Sequence, residues 1–404
     1  MKAREYALNI LDRVVNHHAY ASLLMRRPPC ALSTADQALA SEIIYGTLRN
    51  MRFLAYQWLD LVHHVDAQTR VLLCMSVYQM QYMDRLPDYA VIHEAVELAK
   101  QKKFVNAILR QVQRRGRRKV LSNDPLLRCA LETSHPDWLL KMWAAHYGVS
   151  KAMEIAHKNQ ARAIVYGRCN TLLWNMEELR RDPAVHEIEN CCFTYDGILS
   201  ETSYFRKGYV LIQDRAAQQI PYLLRVSPGM RVLDACAAPG TKTQQIACLM
   251  QNRGAIDALD IHADRLGLIT SLMQKTGVSI VRPICFDAGA YRTDHLYDRI
   301  LVDAPCSGLG DLSHKPEIRL HLKPTDLDEL CRRQQVILDC QSENLKTGGL
   351  LVYSTCTLNQ KENEKQIAAF LKRHAEFELV YEHTWFPQIL QSDGFYGAVL
   401  RKKA

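Results

Sequence analysis

The sequence predicts an α/β protein whose C-terminal half is an open, doubly wound parallel sheet and whose N-terminal region is all-helical. Three observations carry this expectation. From Gly229 onward, short apolar runs suited to strands alternate strictly with helix-length segments. Across roughly the first 120 residues only helical periodicity is found. Between the two, residues 163–212 hold short strand-like pieces that suit a small α+β subdomain. At 404 residues the chain exceeds what one hydrophobic core ordinarily organises. The expected division is a helical domain over 1–122, linker helices with the α+β subdomain over 123–225, and the α/β domain over 226–404.

In chain order, the segment Ala3 to Val15 places apolar residues at 7, 8, 10, 11, 14 and 15, a helical stripe. Ser33-Thr34 offers good cap residues for a helix running through Ile43-Ile44, with Gly46 either inside it or at its end. Amphipathic runs cover 68–83, 91–101 and 103–114. The last belongs to a cationic stretch, Lys102, Lys103, Arg110, Arg114, Arg115, Arg117, Arg118 and Lys119, with no acid between them. It reads either as a contact for a phosphate backbone or as a charged helix end running into a linker. Residues 1–128 hold 19 Lys and Arg against 11 Asp and Glu, whereas 129–404 hold 32 of each, so the whole net charge of +8 lies in the N-terminal part. That asymmetry is expected of a region that meets nucleic acid. Pro125 and the polar stretch 120–136 mark a boundary, and His135-Pro-Asp-Trp-Leu-Leu-Lys-Met-Trp143 begins a second helical segment. The strand-like pieces that follow are Ile164–Tyr166, Cys191–Tyr195 and Tyr209–Ile212.

The composition, 48% hydrophobic and 23% charged, is that of a soluble globular protein. Thirteen cysteines without any C-x-x-C pair fit neither a disulfide framework nor a zinc site and suit a reducing cytosol. The pairs Cys191-Cys192, His17-His18 and His63-His64 lack metal-ligand spacing, so no metal is expected. The start, Met-Lys-Ala-Arg-Glu-Tyr-Ala, shows no apolar stretch like a signal peptide, and no run of 18 apolar residues occurs, which excludes a helical membrane span. A cytoplasmic location is therefore expected.

The C-terminal strands are expected at 231–235, 255–260, 280–286, 299–303 and 349–354, with helices near 242–251, 263–276, 325–346 and 360–373. Ligands of such sheets bind beyond the carboxyl ends of the strands. The first strand runs into Cys236-Ala-Ala-Pro-Gly240, whose small residues let a cofactor approach the backbone, and the following helix offers free N–H groups. Asp260 ends the next strand, twenty residues beyond Gly240, where an acid typically takes ribose hydroxyls. Asp287, after the third strand, is placed to meet an adenine edge. There is no G-x-G-x-x-G, and Gly240-Thr-Lys-Thr243 lacks the first glycine of a P-loop. S-adenosylmethionine is thus the expected cofactor rather than NAD or ATP. The candidate cofactor-binding residues are Cys236, Ala237, Ala238, Pro239, Gly240, Thr241, Lys242, Asp260, Arg265, Asp287 and Asp303. Cys236 and Cys285 are expected to serve packing, Cys236 also lining the loop.

Two cysteine-bearing strings lie fifty residues apart, Asp303-Ala-Pro-Cys306 and Ser354-Thr-Cys-Thr357, each ending a strand-like run. Thiols delivered to the same end of neighbouring parallel strands can meet over one substrate, the geometry needed to attack a pyrimidine ring. Either cysteine could be the nucleophile on sequence chemistry alone.

These residues resemble the RNA 5-methylcytosine methyltransferases, specifically the bacterial Sun-type enzymes of small-subunit ribosomal RNA. The matching pieces are Asp234-Ala-Cys-Ala-Ala-Pro-Gly240, Asp303-Ala-Pro-Cys-Ser-Gly-Leu-Gly310, Tyr353-Ser-Thr-Cys-Thr-Leu-Asn359 with Glu362-Asn-Glu364, and Asp393 to Arg401 as a C-terminal strand. Gln213-Asp-Arg-Ala-Ala217 and, upstream, Phe104-Val-Asn-Ala-Ile-Leu-Arg110 resemble the pre-catalytic segment and the family's NusB-like RNA-binding domain. The resemblance implies a Rossmann-like methyltransferase domain with Cys356 as nucleophile and Cys306 assisting the elimination that frees product. Carbon 5 of cytosine is a poor nucleophile until a thiolate adds to carbon 6, so covalent catalysis replaces one hard step with two easier ones. Asp303 is expected to hydrogen-bond the cytosine's ring nitrogen or amino group and to border the methionine moiety. A depressed Cys356 pKa, from a helix beginning near Asn359 or from Lys242, would aid the addition. The implied substrate is small-subunit (16S) ribosomal RNA, unassembled or early in assembly, at a single-stranded or loop cytosine. Nothing in the sequence indicates an oligomer, and a monomer is expected. A transfer-RNA substrate, or an inactive RNA-binding assembly factor, would be the competing readings. One departure stands out: the family usually has a second glycine where this chain has Thr241. Threonine would be strained at a positive φ and well suited to the start of a helix.

Overall fold

The computed structural model describes residues 2–26, 29 and 32–404, which form two compact units, Met1–Arg162 with Leu312–Leu322, and Ala163–Asp311 with Lys323–Ala404. Up to Arg162 the first unit is built from the helices α1 (Ala3–His17), α2 (Ala21–Leu24), α3 (Thr34–Tyr56), α4 (Ala67–Tyr82), α5 (Asp88–Leu98), α6 (Lys102–Arg115), α7 (Pro125–Glu132), α8 (Asp137–Tyr147) and α9 (Val149–Lys158). Their starts follow from local chemistry. Ser33 accepts from the Asp36 N–H at 3.1 Å, Asp66 from that of Thr69 at 2.9 Å, and Asp124 caps α7 with Pro125 in its first turn. Apolar faces bury Leu11, Ile43, Ile44, Leu48, Leu54, Trp58, Leu73 and Leu109 in one core. Gly46 sits inside α3 rather than ending it, and a side chain there would overlap the Tyr78 ring.

The helices beyond residue 122 belong to the same compact unit as those before it. Ser134 accepts from the Phe53 N–H at 2.9 Å, and Arg52 pairs with Asp137 at 2.7 Å. The first unit therefore runs to Arg162, well past residue 122. The cationic stretch divides between its two readings. Lys102 pairs with Glu97, Arg115 and Arg118 with Asp60, and Arg117 lies over the Phe53 and Tyr82 rings at 5.0 and 4.7 Å. Lys103, Arg110 and Arg114 are exposed, and the recorded partners of the two arginines are amides, Gln113 and Gln111.

The second unit starts with a four-stranded antiparallel sheet of β1 (Tyr166–Cys169), β2 (Val185–Glu189), β3 (Cys192–Tyr195) and β4 (Val210–Ile212), ordered β2-β3-β1-β4, with short helices α10 (Met176–Leu179) and α11 (Ser203–Arg206). Helix α12 (Arg215–Leu223) leads into β5 (Arg231–Asp234), α13 (Thr241–Leu249), β6 (Ala255–Asp260), α14 (Ala263–Lys275), β7 (Val281–Cys285) and β8 (Tyr297–Asp303). An excursion over 312–322, with the short helix α15 (Ile318–His321), belongs to the first unit. The chain then continues as α16 (Pro324–Glu343), β9 (Leu345–Thr355), α17 (Glu364–Arg373), β10 (Phe377–Trp385), α18 (Pro387–Leu390) and β11 (Phe395–Lys402).

The large sheet is ordered β10-β11-β9-β8-β5-β6-β7. Strands β5 to β9 are parallel, as the alternation predicts, but β11 pairs antiparallel with β9 and β10 antiparallel with β11. The sheet is thus mixed rather than purely parallel: after α17 the chain returns through a hairpin at the β9 edge. Period-two alternation sends Ile300, Val302, Leu351 and Tyr353 to one buried face and Leu301, Leu350 and Val352 to the other. Five strand ends are thereby aimed at one edge.

Candidate active site

Adjacent strands β8 and β9 pair in parallel with Asp303 opposite Ser354, so the loops that follow leave the sheet side by side. This places Cys306 and Cys356 with their sulfurs 3.3 Å apart. The Ala304 N–H donates to the Ser354 carbonyl at 2.9 Å and the Gly310 N–H to the Cys356 carbonyl at 2.9 Å, locking the loops together. The hydrogen bond to Cys356, aided by burial, holds the Cys306 thiol well above its usual range, so it remains protonated at neutral pH.

Both oxygens of Asp303 are engaged. The Ser354 hydroxyl donates to Oδ1 at 2.7 Å and the Lys242 ammonium to Oδ2 at 2.8 Å. A carboxylate has about four acceptor positions, so each oxygen keeps capacity for a further donor. Burial by itself would draw Lys242 down, but the charge and hydrogen bond of Asp303, with Cys356 adding to them, raise it.

Cys306 and Cys356 line a cleft of about 300 Å³. It is lined by Cys236 and Ala238 from the loop after β5, Asp260 and Arg265 beyond β6, Asp287 beyond β7, and Asp303. Asp260 accepts from the His262 N–H at 3.0 Å and pairs with Arg265 at 3.3 Å, which fixes its carboxylate at the strand end. Apolar Ile261 and Phe286, both well exposed, flank the two acids. Acids for ribose hydroxyls between apolar walls for a purine suit S-adenosylmethionine.

Not every expected residue faces this cleft. Pro239 and Thr241 line a separate apolar hollow with Leu268 and Leu272. Ala237 is buried and donates its N–H to the Leu259 carbonyl at 2.8 Å. Gly240 caps α13 at φ 102°, a left-handed conformation that favours glycine, and Thr241 is the first helical residue. The positive φ therefore falls on the glycine that is present, and threonine meets no strain. Helix α17 begins at Glu364, not near Asn359, because 357–363 folds as a loop around the Glu362 side chain. No helix N-terminus therefore begins just after Cys356. Cys236 lines the cleft, and burial raises its thiol; Cys285 is exposed rather than packed.

A family profile for 16S rRNA methyltransferase RsmB/F matches residues 221–401, and one for the NusB family matches residues 1–114. A Bacillus subtilis (strain 168) chain named probable ribosomal RNA small subunit methyltransferase B is 36% identical over 398 residues, covering 93% of this chain and 89% of its own. The chain belongs to this methyltransferase family. The ribosomal RNA small subunit methyltransferase B of Vibrio vulnificus (strain YJ016) is 31% identical over 434 residues and covers both chains completely. Among solved structures, that of PH0851 aligns over 100% of this chain and 99% of its own, with a TM-score of 0.84 at 22% identity, a likeness of fold.

Within this family frame, the cleft also takes residues that carry no signal in the sequence motifs, Ile261, Phe286 and Arg333 among them. Ile261 and Phe286 each adjoin an acid that the strand ends announce. Arg333 enters from the middle of α16, where nothing local marks it.

Proposed function

We propose that the chain transfers a methyl group from S-adenosylmethionine to carbon 5 of a cytosine in small-subunit (16S) ribosomal RNA, through a thioether between Cys356 and carbon 6. The observation that carries the chemistry is the pair of sulfurs 3.3 Å apart, both lining the acid-lined cleft. The substrate rests on the likeness to the ribosomal RNA small subunit methyltransferases B, which match over nearly the whole chain.

Bound beside the acids of β6 and β7, the cofactor supplies an electrophilic methyl group on a sulfonium. Asp260 would hold the ribose hydroxyls, Asp287 would meet the adenine, and Ile261 with Phe286 would exclude water from it. Cys356 adds as thiolate to carbon 6, which makes carbon 5 nucleophilic. Asp303, held by Lys242 and Ser354, accepts a hydrogen bond from the cytosine amino group and favours that addition. Cys306 assists the elimination, in which the carbon-5 proton passes to water and the bond between carbon 6 and sulfur breaks to release Cys356 as thiolate. The cytosine must leave its stack to reach the thiols, which favours unpaired RNA as substrate. The enzyme acts as a monomer in the cytoplasm in this reading.

The experiment is methyl transfer from tritiated S-adenosylmethionine to protein-free small-subunit RNA, with Cys356→Ala and Cys306→Ala alongside. Loss of transfer in Cys356→Ala and a trapped covalent RNA adduct in Cys306→Ala are expected. The reverse pattern would move the nucleophile to Cys306. Transfer to transfer RNA but not to ribosomal RNA would overturn the substrate, and binding of labelled cofactor without transfer to any RNA would overturn the activity.

A further inference from the structure

We propose that Glu362 is a positioning residue for the paired thiols, its carboxylate setting the distance and facing of Cys306 and Cys356 by gripping the residue next to each. The inference rests on the thiol chemistry proposed above.

Glu362 is fully buried, and the donors that reach it are two hydroxyls, one backbone N–H and two side-chain amides, none of them a cation. Oε1 receives the Ser307 hydroxyl at 2.6 Å, the Asn359 amide at 3.0 Å and the Thr357 hydroxyl at 3.3 Å. Oε2 receives the Ser307 N–H at 2.9 Å and the Gln334 amide at 3.0 Å. The Ser307 and Thr357 hydroxyls lie 2.8 Å from each other. Ser307 directly follows Cys306 and Thr357 directly follows Cys356, so one carboxylate holds both cysteine loops from behind. A buried carboxylate lacking a cation is costly unless hydrogen bonds surround it. A merely structural bond between two loops needs no charge. What a carboxylate adds is two acceptor oxygens that impose one geometry on five donors. The charge also contributes, after the hydrogen bond to Cys356 and burial, to keeping the Cys306 thiol protonated.

Glutamine is the informative replacement. It keeps the size but turns one oxygen into an N–H2 group, which in either orientation faces at least two donors. The experiment uses the full-length protein and phenylarsine oxide, whose arsenic bridges two thiols only when they lie close together. Bridging is read as protection of Cys306 and Cys356 from alkylation by peptide mass spectrometry. In the parent both cysteines are protected. In Glu362→Gln the protection is lost and the kcat for methyl transfer falls about 10²-fold, with KM for cofactor and RNA little changed, as expected for thiols displaced by a fraction of an ångström. The onset of Cys306 alkylation also moves to lower pH in Glu362→Gln and does not do so in Ser307→Ala. If Glu362→Gln does not fold, Ser307→Ala and Thr357→Val carry the test, each removing one strut. Parental bridging and parental kcat in the folded variants would overturn the proposal. A parent that is bridged by the arsenical yet methylates no RNA would overturn the proposed activity and leave the geometry of the thiols standing.

Discussion

Lys242 Nζ lies 2.8 Å from Oδ2 of Asp303, and the two side chains are only 15% and 24% exposed. Removing one partner of such a pair leaves a mostly buried charge. Lys242→Met should therefore cost about 3 kcal/mol of stability, measured by urea unfolding. Because the folded-state pKa of this lysine is raised, its contribution is fully present below the unfolded value near 10.4 and is lost as pH rises through the folded one. The gap between parent and variant should be constant from pH 6 to 9 and narrow only at strongly alkaline pH.

Asp234 behaves in the opposite sense. Burial pushes it up to about 6, against the pull of the Thr243 hydroxyl 2.7 Å away. Between pH 4 and 6 the native state binds more protons here than the unfolded chain, so stability falls as pH rises through that window. Asp234→Asn, which does not titrate and still accepts from Thr243, should be more stable than the parent at pH 7 by on the order of 2 kcal/mol. The advantage should vanish below pH 4. Thermal unfolding across pH 4 to 7 checks the crossing.

Gly310 approaches the backbone of Gly394 so closely that an added Cβ would overlap its carbonyl, and the two are joined by the Gly394 N–H donating to the Gly310 carbonyl at 2.8 Å. Backbone, unlike a flexible side chain, cannot easily retreat. Gly310→Ala should lose about 2 kcal/mol of stability. It should also slow methyl transfer, because the Gly310 N–H is tied to the Cys356 carbonyl. Calorimetry and single-turnover transfer on the same preparation separate the two effects.

Lys103, Arg110 and Arg114 are exposed on α6, and no ion pair is recorded for them among the described residues. If these residues meet RNA phosphates, replacing all three by alanine should reduce the salt slope of RNA binding by about 2 and leave cofactor binding unchanged. Filter binding from 50 to 300 mM salt measures the slope; an unchanged slope would assign them to a solvated face.

Much of the site is legible because its chemistry sits where periodicity ends. The runs ending at Asp234, Asp260 and Asp303 read as strands, and their terminal acids fall at the ligand edge of the sheet for a reason of topology. What escapes is decided by packing. Strand β10, Phe-Glu-Leu-Val-Tyr-Glu-His-Thr-Trp385, lies at the sheet edge with most residues partly exposed, so it lacks the apolar signature of its buried neighbours. Val185 to Glu189 escapes for the same reason. Small residues in the loop after β5 announce close approach but not direction, and Pro239 and Thr241 turn away from the cleft. Arg333 acquires its surroundings from elements far away in sequence and no local pattern could show it, and the motif that contains Glu362 does not show that Ser307 and Gln334 reach it.

The excursion over 312–322 has a consequence for how the protein is made. Leu312 and Glu317 are fully buried and Arg319 is 3% exposed, its guanidinium donating to the Thr133 carbonyl at 3.0 Å. On a ribosome the amino-terminal helices emerge first, yet their last buried piece is encoded after β8. The helical unit therefore stays unfinished until eight strands of its neighbour have been synthesised, and neither half of the chain can be cut away at residue 162 without leaving the first with a vacancy and the second with an orphaned buried segment.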